Sequence, residues 1–232
     1  MSSSTNMDSK TRLLLLCGAL AGPVFSIVWF ITGLNRANYD PMRHPISALG
    51  LGEFGWTQVA NFLITGLLSL ALAYGLRRAL QSRAGSKWVF ILIGMVAIGF
   101  LGTGFFATDP INGYPPGTPA MLIPPTVIGS LHLLFASFIF GLPITCFVLA
   151  RLFAAQGEHN WALYSRVTAI AFIVIYLIGM AGFLQVEGLV NYAGLYQRIS
   201  TTIGLAWMTL LPFYLLNSAS MSQSIARNKV VL

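Results

Sequence analysis

Six stretches of about twenty residues each, nearly free of charge and rich in Leu, Ile, Phe and Gly, dominate this chain. They run over about 13–34, 56–76, 88–107, 126–150, 167–184 and 199–216. A helix needs roughly 20 apolar residues to cross a hydrocarbon core about 30 Å thick. The pattern therefore predicts an all-α, polytopic membrane protein, a compact bundle of six transmembrane helices. Composition agrees, with 56% hydrophobic residues and 8% charged, against about 25% charged in an ordinary soluble domain. A soluble globular domain, a disordered chain and a nucleic-acid binder are all excluded on this reading. The partner it implies is the lipid bilayer; protein partners are not indicated.

The net charge of +7 belongs to the loops. With six spans, Lys10, Arg12, Arg77, Arg78, Arg83, Lys87, Arg151, Arg166, Arg227 and Lys229 share one side. Arg36, Arg43 and Arg198 share the other. Cytoplasmic loops carry the excess of Lys and Arg, which predicts cytoplasmic N- and C-termini in a plasma or bacterial inner membrane. Residues 1–12 then form a flexible tail, 13–217 the transmembrane domain and 218–232 a second tail. The first apolar run is too long for a signal peptide and lacks a small-residue cleavage site, so it reads as a retained helix. Cys17 and Cys146 fall in cytoplasmic halves and are expected as reduced, packed thiols.

Lipid supplies no hydrophobic drive between helices, so close packing through small residues must hold them. Gly18 and Gly22 give a G-x-x-x-G in the first span, and Gly94, Gly99, Gly102 and Gly104 crowd the third. Pro23, Pro143 and Pro212 lie inside spans and should kink them. Outside the spans, Pro45 is placed to open a short helix through Ile46, Ala48 and Leu49. The Pro- and Gly-rich segment 109–125 should form a semi-rigid cap.

His132 is the one ionisable residue well inside a span, roughly 9 Å from its outer end at 1.5 Å per residue. Such residues usually face the bundle interior and have a partner. Asp109 follows the third span, Glu187 opens the last outer loop, and Arg198 stands at the mouth of the sixth span. The first outer loop adds Asp40, Arg43, His44 and Ser47. Converging, these groups would make an outward-facing polar pocket. A His132–Asp109 pair could serve as acid and base, the carboxylate fixing the imidazole tautomer. Arg43 and Arg198 could grip a phosphate or carboxylate head group. The plainer alternative is one interhelical hydrogen bond from His132 and a few loop staples. His44, His132, Asp109 and Glu187 have no spacing characteristic of a metal site, and only one His lies in a span. No metal or other cofactor is expected.

Three features resemble a bacterial and archaeal family of six-helix membrane proteins catalogued as domain of unknown function 998. They are His44-Pro45-Ile46-Ser47-Ala48-Leu49-Gly50 followed by Trp56 and Asn61, then Asp109 just after the third span, then Leu131-His132. The resemblance covers about the first 150 residues. It implies six helices and a polar outer site, and it supplies no activity. The leading expectation is a pocket for a lipid-like or small amphipathic ligand. The alternative is an enzyme acting on a lipid or isoprenoid substrate through His132 and Asp109. A small transporter or an accessory subunit ranks third, because the cytoplasmic halves of the spans offer few polar groups.

Overall fold

The computed structural model describes residues 7–81, 83, 85–120 and 124–230, with side chains through Ser218 and at Ser220. Eight α-helices make the described fold: α1 (Ser9–Ala19), α2 (Ala21–Leu34), α3 (Trp56–Ala79), α4 (Ser86–Phe105), α5 (Val127–Ser137), α6 (Gly141–Ala155), α7 (His159–Phe183) and α8 (Ala193–Val230). Two pairs are single spans broken in the middle. The result is six helical segments long and apolar enough to cross a membrane: Ser9–Leu34, Trp56–Ala79, Ser86–Phe105, Val127–Ala155, His159–Phe183 and Val190–Ser218.

The breaks have sequence causes. Leu20 separates α1 from α2, and Pro23 lacks the N–H that would bond the Ala19 carbonyl. A 3-10 turn, Phe138–Phe140, separates α5 from α6. There Pro143 withholds the bond to the Ile139 carbonyl, and the helix tightens where the α-pattern fails. Pro212 sits inside α8 without ending it.

Several helices overrun their apolar stretches. The tail expected over 1–12 is helical from Ser9, because Asp8 caps α1 by accepting from the Thr11 N–H at 2.9 Å. Arg78 binds the same carboxylate at 2.6 Å. Hydrogen bonds from Thr11 and Arg78 hold the Asp8 carboxyl down at about 2. The first six residues of that tail lie outside the described residues. α7 starts at His159 rather than 167, and α8 runs on through most of the tail expected over 218–232. Hydropathy detects only the apolar part of a helix, and polar end turns such as His159–Arg166 escape it.

The spans form a ring. α3 packs on α1 and α2, α4 on α3, α6 on α4, α7 on α6, α8 on α7, and α8 closes back on α1 and α2. Glycine sets the tightest of these contacts. A Cβ on Gly18 would lie 2.4 Å from Leu72 Cβ on α3, and one on Gly22 would lie 2.8 Å from the Leu205 carbonyl on α8. The G-x-x-x-G of the first span therefore faces inward. The interior is filled by Trp207, Phe153, Phe172, Leu72 and Leu142, all fully buried. Trp207 Nε1 donates to Ser165 Oγ at 3.0 Å. Outward faces present Leu13, Ile27, Phe30, Leu67, Leu133 and Leu177, each more than half exposed.

One gap interrupts the ring. α6 packs along both α4 and α7, but α5 packs on α4 and has no comparable contact with α7 or α8. The fourth span thus packs on the fifth through α6 and the turn at Phe140, and less closely through α5.

Candidate functional site

The segments joining α2 to α3, α4 to α5 and α7 to α8 meet at one end of the ring, opposite the end that holds Asp8 and Arg78. They are knitted together around Arg198, which is 6% exposed. Its Nη1 donates to the carbonyls of Pro41 (2.6 Å), His44 (2.9 Å) and Gly194 (2.9 Å). Its Nη2 donates to the Tyr39 hydroxyl. The guanidinium lies over the Trp29 ring at 5.2 Å and the Tyr39 ring at 5.5 Å. Tyr39 in turn donates to the Pro45 carbonyl at 2.9 Å. Burial pushes its hydroxyl up to about 12, against the pull of Arg198, so it stays a donor.

His44 sits between Tyr39 and Tyr114, with ring centroids 5.5 and 5.2 Å away. Its Nδ1 accepts from the Asp40 N–H at 2.9 Å, which requires an unprotonated Nδ1. Burial lowers its pKa, the Asn112 carbonyl and Asp40 opposing. Asp40 is exposed and accepts from the Met42 N–H at 2.8 Å. Arg43 donates to the Asn112 carbonyl at 3.2 Å and to Asn191 Oδ1 at 2.7 Å. Gln185 donates to Asn112 Oδ1 at 2.5 Å. Asn112 thereby ties all three segments together. The turn after Pro45 is a 3-10 helix, Ile46–Gly50, whose Ile46, Ala48 and Leu49 are buried. It plugs into the end of the ring rather than lying on its surface.

Beneath this cap, at the gap beside α5, is a cavity. Its volume is about 80 Å³, large enough to admit water or a small polar group. Phe25, Phe62, Phe100 and Phe135 supply its apolar walls. Its polar lining comes from Ser47 under the cap, Thr103 on α4, His132 on α5, Tyr176 on α7, and Gln197 and Thr201 on α8. A Cβ on Gly102 would fall 2.1 Å from the Phe135 ring, so α5 reaches α4 here only over glycine.

His132 is 3% exposed, and its Nδ1 lies 2.7 Å from the Phe106 carbonyl. That carbonyl, at the C-cap of α4, has no helical partner of its own, so the ring donates from Nδ1. In its neutral form the ring then keeps its lone pair on Nε2, which bonds to nothing among the described residues. Asp109 is not hydrogen-bonded to His132. Its carboxylate accepts from the Thr126 N–H and hydroxyl, both at 2.8 Å. Thr126 caps α5, accepting from the Gly129 N–H at 3.0 Å, and an anion is favoured at that helix start. Glu187 is exposed. Of the residues nominated from sequence, the structure brings His132 and Ser47 to the cavity. Arg198, Arg43, Asp40 and His44 hold the cap together.

Gln197 and Thr201 are functional candidates that sequence reasoning passed over. They lie four apart on α8, hence on one face, and that spacing was the available signal. Gln197 Oε1 accepts from the Ile46 N–H at 2.8 Å, which leaves its amide donors for the cavity. A second polar stripe, Gln58, Asn61 and Thr65 on α3, is fully buried. Asn61 donates to the Phe25 carbonyl at 3.1 Å. Among the described residues, no three His, Cys, Asp or Glu side chains come together as a metal site would need.

The geometry defines a class: an all-helical chain of six membrane-length spans, capped at one end over a cavity with apolar walls and a few polar groups. The chain belongs to the family described as "Protein of unknown function (DUF998)", whose match covers residues 19–213. The match extends through the fifth span and most of the sixth. No curated protein and no solved structure matches the chain.

Proposed function

We propose that this protein is a multi-pass protein of a plasma or bacterial inner membrane that holds a lipid-like amphiphile under an extracytoplasmic cap. The basic residues gathered at the end opposite the cap support that orientation. The observation that carries the reading is the cavity itself. Its walls are aromatic, its polar groups converge from five elements, and it lies where α5 leaves α7. Binding sites combine such apolar walls with a few placed polar groups. Polar groups at membrane depth are costly unless something uses them. A gap in the ring lets an acyl or isoprenoid chain enter sideways, without crossing the cap.

Native mass spectrometry of the protein in mild detergent tests this reading. An amphiphile should co-purify, and Ala136→Phe, which fills the cavity from α5, should remove it while the melting temperature is kept. Wild type and variant carrying the same lipids in the same amounts would overturn the reading. One observation favours an enzymatic alternative: His132 lines the cavity with its Nε2 uncommitted, and there it would act as a base on an occupant. That alternative requires turnover of a lipid or isoprenoid substrate that His132→Gln abolishes with binding retained.

A further inference from the structure

Resting on that reading, we infer that the polar end of the occupant is an uncharged hydroxyl, as in a long-chain alcohol or an acylglycerol, and not a phosphate or carboxylate. The charged groups near the cavity are all committed elsewhere. Arg198 is not one of its walls; its guanidinium is spent on three carbonyls and the Tyr39 hydroxyl. Its Nε–H is buried and has no partner among the described residues. Arg43 is bound to Asn112 and Asn191, and Asp109 to Thr126. Among the described residues, no Asp, Glu, Lys or Arg lines the cavity.

What does line it suits a group that both donates and accepts. The Nε2 of the neutral His132 ring accepts, the Gln197 amide donates, and the hydroxyls of Ser47 and Thr201 bond to nothing among the described residues. A hydroxyl head satisfies Nε2 with its proton and the amide with its lone pair. An anion brought here would leave water for an apolar site that holds no cation, and it would leave Nε2 without a donor.

Equilibrium binding to the full chain in nanodiscs tests the inference. The radiolabelled probes are 1-hexadecanol, monooleoylglycerol and dioleoylglycerol, against palmitate at pH 8 and dioleoylphosphatidate. At least one hydroxyl-headed probe should bind at least ~10-fold more tightly than both anions, and Ala136→Phe should block it. The order among the three separates a single-chain alcohol from an acylglycerol. His132→Phe should weaken that probe by ~5-fold or more, the loss of one hydrogen bond. Should that variant fail to fold, Ser47→Ala removes a lining hydroxyl with no structural bond to lose and should weaken the same probe. Palmitate or dioleoylphosphatidate binding equally well, blocked by Ala136→Phe, would overturn the hydroxyl assignment and leave an amphiphile site standing. Binding of no probe sensitive to Ala136→Phe would overturn both.

Discussion

Arg198 shows how one side chain organises an entire end of the molecule. Its fork spans backbone oxygens from the first loop and from α8, which a lysine ammonium does not reproduce. Arg198→Lys is expected to destabilise the protein by about 2 kcal/mol and Arg198→Ala by about 3 kcal/mol or more, as buried carbonyls lose their donors. Thermal unfolding in detergent measures both. His44 makes the same cap sensitive to acid. Burial holds its folded pKa below the ordinary 6.5, so below pH 6.5 the unfolded chain binds the proton first. Stability is complete above that value and is lost as pH falls toward the folded pKa. Arg43 and Arg198 oppose protonation and Asp40 favours it. Hydrogen-exchange protection in residues 35–55, taken relative to the intrinsic rate at each pH, should fall between pH 7 and pH 5, and His44→Gln should flatten that dependence. An unchanged profile in the variant would show that His44 is not the group responsible.

At the scale of elements, glycine decides how near the helices come and proline where they break. Gly18→Val drives a branched side chain into Leu72, and neither helix can yield without moving the ring. A loss of about 1–3 kcal/mol is expected, read as a lower melting temperature with secondary structure retained by circular dichroism. The helices themselves were legible in the sequence, since a twenty-residue apolar run in lipid has no other way to satisfy its backbone. Their polar end turns were not: Asp8 caps α1 from three residues away, and its ion pair with Arg78 joins positions 70 residues apart, neither of which hydropathy registers. Pro143 signalled a break in the fourth span. That the half before it would part from α7 depends on packing partners no local pattern names.

For the whole molecule, the ring places all three cap segments at one end and most of the basic residues at the other, with Arg36, Arg43 and Arg198 held in the cap. A fluorescent-protein fusion after residue 232 should glow and an alkaline phosphatase fusion there should be inactive, as a cytoplasmic C-terminus requires. The reverse result would place the cap in the cytoplasm and invert the proposed access route. Of the polar residues proposed to converge, the ring brings His132 and Ser47 to one cavity, with Gln197 and Thr201 beside them. The Arg residues go into the cap's own structure.

The sequence by itself determined the six spans, their order and which side chains stand at the cap, because hydropathy and helical period are properties of consecutive residues. Only the tertiary structure decided what those side chains do. His132 binds the carbonyl of Phe106, and Arg198 binds those of Pro41, His44 and Gly194. Every residue carries a carbonyl, so no letter of the sequence marks the one that will be left free at a helix end and turned toward a buried donor.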